Sequence, residues 1–218
     1  LPALERLAGK RDSFLYAAGD GNHSLAAAKH VWERRKRAGA PMDHPSRWAL
    51  VELVNLYTSG LRFEPIHRLV TGENTETIAH RLKEIAEASS VVTDAAHATE
   101  EHENASREEA DREILLVEGG KGMRFLLPHS DTLPIAVVED LLQDHHRYRV
   151  DYVHGATETV RLAKEEGGAA LLLPRIDRRL LFPTVELRGV LPKKAFSLGH
   201  SEEEGDYVEA RRIEYASS

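Results

Sequence analysis

Apolar residues run along this chain in short blocks separated by glycine, proline and charge, and the spacing inside each block predicts its element. Residues 1–7 read as a helix end, and the run Ser13-Phe14-Leu15-Tyr16-Ala17-Ala18 reads as a buried strand, punctuated by Gly19 and Gly21. Over residues 24–38 the side chains of Leu25, Ala28, Val31 and Trp32 fall on one helical face. Arg34, Arg35, Lys36 and Arg37 crowd the end where a helix dipole favours cations. Residues 48–57, WALVELVNLY, are almost uninterrupted apolar sequence and predict a central strand covered on both faces, with a buried helix as the alternative. Residues 61–70 look extended, with Pro65 marking an edge or an end at Glu64. Asn74 is placed to cap a helix carrying Ile78, Leu82 and Ile85 on one side.

In the second half, EILLV and MRFLL flank Glu118-Gly119-Gly120-Lys121-Gly122 and predict a β-hairpin over 113–127. Pro134 opens a helix with Ile135, Val138, Leu141 and Leu142 inward, ending near Asp144-His145-His146-Arg147. A short strand over 150–153, a helix over 155–166 stopped by Gly167-Gly168 and a strand over 169–173 suggest a parallel crossover. Phe182-Pro183 interrupts the next segment, and 193–198 with 207–215 supply the last elements. The expected fold is mixed α/β, a central mixed sheet with flanking helices. Residues 1–93 form a motif-bearing subdomain, 94–112 an acidic connector or exposed helix, and 113–218 a second subdomain.

The chain has 218 residues, 41% hydrophobic and 30% charged, ample for a packed core. No stretch approaches the ~18 apolar residues of a membrane-spanning helix, and the N-terminus lacks the pattern of a signal peptide, so a cytoplasmic location is expected. The opening on Leu1 suggests a piece of a longer protein. The absence of cysteine removes disulfides, thiolate nucleophiles and thiolate metal sites. With 29 Lys plus Arg against 36 Asp plus Glu, the net charge of -7 does not fit a nonspecific nucleic-acid binder, which leaves a local anion pocket open.

That pocket has one strong candidate. Gly19, Asp20, Gly21, Asn22, His23 and Ser24 lie between an apolar run and an amphipathic helix. A tight glycine turn there would aim the first helical N–H groups outward as an anion cradle, with His23 and Ser24 adding donors. Asp20 beside a phosphate would be repulsive unless it directed a metal or accepted a proton. The same residues also serve as a plain helix cap, with Asp20 or Asn22 as capping side chain.

Glu52 and Asn55 interrupt an apolar run, where a carboxylate is costly unless paired; a salt bridge to Arg47 or Arg68 is the structural reading, a second catalytic carboxylate the functional one. His67 and Arg68 follow a rigid proline, His154 precedes a glycine at a helix start, and Lys193, Lys194 and Ser197 cluster near the end. Each could reach an anion, and each also fits a structural or solvated role. Gly119-Gly120-Lys121-Gly122 is read as a turn, since it lacks the Ser/Thr and helix of a phosphate loop. Spacing does not make His97, His102, His145 and His146 a metal site, and no Ser-His-Asp order appears.

The stretches GDGNHSLAAAKHVWE, HPSRWALVELVNLY, FEPIHRLV, DYVHGATETV and LPKKAFSLG followed by YVEARRI resemble the bacterial "domain of unknown function 1015" family. Its members share a strand, a D-G-(H/N)-H-(R/S) turn and a helix; here Asn22 and Ser24 stand where many have His and Arg. Full-length members carry an additional N-terminal portion, so the chain looks like their C-terminal part. The turn itself is similar to the nucleotide-binding motif of the ParB, sulfiredoxin and free-serine-kinase superfamily. That resemblance implies a nucleotide site lined by residues 19–24, with ATP or another nucleotide and Mg²⁺ as cofactors, Asp20 as the catalytic or metal-directed acid and His23 as phosphate ligand. The expected activity is kinase-like phosphoryl transfer to a small hydroxylated metabolite, with a phosphate-bearing small molecule as partner. A noncatalytic nucleotide switch and a metal-dependent hydrolase are the alternatives.

Overall fold

The computed structural model describes residues 16–19, 21–58, 61, 63–72, 75–105, 108–143 and 148–198. Two units are distinguished, Leu1–Thr58 with Glu202–Ser218, and Ser59–Ser201. In the first, α1 (Asn22–Arg37) starts after Gly21, and Leu25, Ala28, Val31 and Trp32 are partly buried along its predicted face. A 3-10 turn over Pro45–Arg47 packs against it.

Two expectations for this unit change. Residues 16–18, the described end of the first predicted strand, are exposed and form no ladder. Residues 48–57 carry no ladder either: they run irregularly, with Trp48, Leu50, Val51, Leu53, Val54 and Tyr57 between 50% and 63% exposed. An apolar run expresses a demand for burial but does not supply a partner strand, and among the described residues none pairs with it. Asn55 closes the segment as a turn, its Oδ1 accepting from Tyr57 N–H at 3.0 Å and its carbonyl from Thr58 N–H.

The second unit is mixed α/β. Its strands are β1 (Phe63–Gly72), β2 (Ala88–Val92), β3 (Glu113–Glu118), β4 (Lys121–Leu126), β5 (Tyr148–His154), β6 (Ala169–Leu172) and β7 (Phe196–Leu198). They form an open sheet of order β2-β4-β3-β6-β1-β5, with β7 pairing β1, and every described pairing is antiparallel. The helices are α2 (Thr75–Ile85), α3 (Ala95–Asn104), α4 (Pro134–Leu141), α5 (Ala156–Glu166) and α6 (Arg178–Arg188). The expected crossover β5-α5-β6 is present in split form: β5 and β6 run parallel, and β1 lies between them, antiparallel to both. The unit β2-α3-β3 repeats this arrangement around β4.

Alternation along the strands sends Leu69, Leu115, Val117, Ala170 and Leu172 to one face, where Ala95 and Ala98 of α3 and Ala156 and Ala163 of α5 close over them. On the other face α4 meets Arg68 through Glu139, and α2 meets α4 where Arg81 Nη1 donates to the Leu141 carbonyl. That carbonyl, at a helix end, also accepts from Tyr148 OH. Each fully buried Leu or Ile here contributes about 1.5–3 kcal/mol.

Local chemistry sets several boundaries. The hairpin turns on Gly119 and Gly120 alone, with φ of 56° and 80° and Glu118 opposite Lys121, the two-residue turn that positive φ at both positions allows. Gly167, at φ 67°, ends α5. Pro65 does not make β1 an edge strand; residues 63–65 pair only with β7, so the missing N–H falls where β1 has one neighbour. Pro183 lies inside α6 rather than breaking it, and the N–H it lacks is the one that would face the carbonyl of exposed Arg179. Residues 95–104, read from their charge as solvated, bury Ala95, Ala98, Thr99 and His102. The proposed cap Asn74, the segment 144–147 and the segment 207–215 lie outside the described residues. No described helix is long and apolar enough to cross a membrane.

Candidate functional site

The helix following the glycine turn begins as the sequence suggests, two residues earlier than its apolar face. Gly21 adopts φ 72°, ψ 17°, a left-handed conformation that glycine enters without penalty, and its carbonyl accepts from Leu25 N–H at 2.9 Å. Among the described residues no side chain caps this terminus, and its first turn holds no acidic residue. Asn22, His23 and Ser24 are exposed on that turn, and Gly19 precedes it, also exposed. The capping reading of Asn22 is therefore not realised. An uncapped N-terminus leaves N–H groups without intrahelical partners and carries the positive end of the helix dipole. Asp20, the expected acid and metal-directing residue, lies outside the described residues. Glu52 belongs to the same unit, exposed in the irregular segment rather than buried in a strand. The salt-bridge partners expected for it are engaged elsewhere: Arg47 donates to the Met42 carbonyl and lies over the Trp48 ring, and Arg68 is held by Glu139.

The remaining predicted residues belong to the second unit. His67 is buried, its Nδ1 accepting from Leu173 N–H at 3.0 Å; burial, then the nearby His102, Arg68 and His154, lower its pKa to about 3. His102 Nε2 binds the Leu173 carbonyl at 3.0 Å, so two histidines hold the backbone just beyond β6. Arg68 is fully buried. Its Nε and Nη2 donate to Glu139 Oε1 at 2.9 and 2.7 Å, its Nη1 to the Ile66 carbonyl, and its guanidinium stacks 4.5 Å from the Tyr152 ring centroid. These two residues, expected at an anion, are bonded within the fold.

Lys193 and Lys194 are exposed on a turn before β7. Lys194 has φ 53°, and its Nζ lies 5.9 Å from the Tyr152 centroid. Among the described residues, no three His, Asp or Glu side chains come together as a metal site. The sequence reading did not identify Glu139, which reaches Arg68 across 71 positions, nor the role of His102. A buried charge at Arg68 demanded a partner, but nothing local named it.

The model of the family described as "Protein of unknown function (DUF1015)" matches residues 4–150, which include the glycine turn and exclude Lys193 and Lys194. Among curated proteins, none matches the sequence. Solved structures similar to the chain include a free serine kinase in complex with AMP, at 14% identity and TM-score 0.42 over 68% of this chain and 58% of that one. A mutant free serine kinase in complex with ADP gives 15% identity and TM-score 0.43 over the same shares. A conserved hypothetical protein from Pyrococcus furiosus gives 16% and 0.42 over 68% and 60%. The chain thus spans less than two thirds of each of these proteins.

Proposed function

We propose, for a chain that belongs to the DUF1015 family of proteins of unknown function, that the turn over residues 19–24 binds the phosphate groups of a nucleotide or other phosphorylated small molecule. The carrying observation is the start of α1, where a left-handed glycine is followed by a first turn that no described side chain caps and that holds no acidic residue, with Asn22, His23 and Ser24 exposed on it. Such a terminus offers backbone donors and a favourable dipole to an anion, and His23 and Ser24 add side-chain donors beside them.

Phosphoryl transfer to a small hydroxylated acceptor is the chemistry that this site would run. In that reading the N–H groups and His23 stabilise charge on the transferred group. Asp20 would hold a Mg²⁺ ion, which would supply charge neutralisation there, or would take the acceptor's proton, and Glu52 is the second carboxylate of the unit. The fold leaves Glu52 in water, so its contribution depends on ligand drawing the segment over 48–57 towards the turn.

The test is a thermal-shift panel of ATP, ADP, CTP, GTP and pyrophosphate, with and without Mg²⁺, on the chain and on His23→Ala. Ligand binding to the native state raises apparent stability by about 2.7 kcal/mol at a hundredfold excess over Kd. A rise with one nucleotide that is lost in His23→Ala supports the site. Silence across the panel reduces the turn to a helix start.

A further inference from the structure

The segment over 48–57 presents an apolar surface that the described part of the first unit leaves open. Six large apolar side chains, from Trp48 to Tyr57, are half or more exposed there. A contiguous exposed patch of this kind marks a place where something binds. The chain leading into it is basic. The 3-10 turn over Pro45–Arg47 runs directly into the segment and packs against α1, whose last turn is Arg34, Arg35, Lys36 and Arg37. Over Leu1–Thr58 nine Lys and Arg outnumber six Asp and Glu, although the whole chain carries -7.

Residues 202–218 carry the complementary pattern. They open on Glu202-Glu203-Glu204-Gly205-Asp206, continue with Tyr207-Val208 and hold six acids against two arginines. They are grouped with Leu1–Thr58 and not with the sheet unit.

We propose that residues 202–218, which lie outside the described residues, dock on the apolar surface over 48–57, the acidic run beside the basic end of α1 and Tyr207 and Val208 against the exposed apolar side chains. This inference does not rest on the reading given for the glycine turn. Exposed ion pairs are individually weak, so the acids select the partner and the apolar contacts supply the affinity. A second copy of the chain would instead bring two basic regions together. An anionic bilayer would attract this region while repelling a chain whose total charge is -7. A segment of the same chain faces neither obstacle, and its tether gives it an effective concentration on the order of millimolar.

The chain has no cysteine, so an introduced pair reports proximity without background. In the full chain, Leu53→Cys combined with Val208→Cys is compared with Val91→Cys combined with Val208→Cys, and disulfide formation under mild oxidation is followed by non-reducing electrophoresis. Leu53 and Val91 are 59% and 71% exposed, so neither substitution removes a core side chain, and circular dichroism checks that each variant folds. The expected product is a crosslinked monomer that forms about tenfold or more faster with the Leu53 pair than with the Val91 pair. Its formation should slow several-fold when Glu202, Glu203 and Glu204 are changed to Gln, and again when salt screens the charges. Equal rates for the two pairs, or a rate indifferent to both neutralisation and salt, would overturn the proposal. So would disulfide dimers of Leu53→Cys alone, which would assign the surface to a second copy. Flotation of the full chain with vesicles of phosphatidylcholine and phosphatidylglycerol, lost in Leu53→Asp, would assign it to a lipid surface and overturn the proposal equally.

Discussion

His67 shows what burial does to a single titratable group. Its imidazole is held neutral because burial, and then His102, Arg68 and His154, lower its pKa to about 3, whereas an unfolded chain protonates histidine near 6.5. The unfolded state therefore binds the proton first as pH falls. The stability tied to this residue is complete above about pH 6.5 and is lost as pH drops towards 3, by on the order of 5 kcal/mol across the window. Urea unfolding of the chain and of His67→Asn between pH 7.5 and 4 isolates this contribution, since asparagine keeps an acceptor for Leu173 N–H and does not titrate. The variant should lose less stability on acidification, and parallel profiles would show that His67 is not buried as a neutral ring. The sequence made His67 and Arg68 visible as unusual polar residues beside a proline, but it could not assign them. Whether such a pair faces a ligand or the interior depends on Glu139 and Leu173, which the fold delivers from 71 and 106 positions away.

Elements were legible where their determinants are local. The hairpin over 113–127 was readable because two glycines between apolar runs specify a turn with positive φ at both positions, and the end of α5 was readable from Gly167-Gly168. The segment over 48–57 was misread because strand formation needs a partner that its own residues do not encode. The glycine turn falls between these cases: its helix start was readable, while the placement of Glu52 relied on the same misread segment. The two glycine pairs also differ in what they require. Gly119→Asn should be tolerated, since asparagine enters the left-handed region and nothing lies within 4 Å of a new Cβ. At Gly168 a Cβ would collide with the Val70 carbonyl of β1 and come within 2.8 Å of the Thr71 methyl. Gly168→Ala should therefore destabilise by about 2 kcal/mol or more, because backbone must move to admit it. Comparative thermal unfolding of the two variants checks both, and equal losses would mean that turn strain, rather than the close approach of α5's exit to β1, governs glycine at both places.

At the scale of the whole molecule, burial is distributed unevenly. Among the described residues, every buried apolar side chain lies between Ile66 and Ala195, and Ser46 alone is buried in the first unit. All seven strands and both helix layers belong to Ser59–Ser201, so that unit holds the apolar burial and the long-range hydrogen bonding that cooperative folding requires. Expressed by itself, residues 59–201 should give near-UV circular dichroism and a single unfolding transition in urea. A broad, noncooperative melt would mean that the sheet depends on the remainder of the chain. The same fragment tests the glycine turn. It lacks the glycine turn, so the nucleotide that stabilises the whole chain should leave the fragment's melting temperature where it was. A nucleotide response in the fragment would move phosphate binding away from residues 19–24.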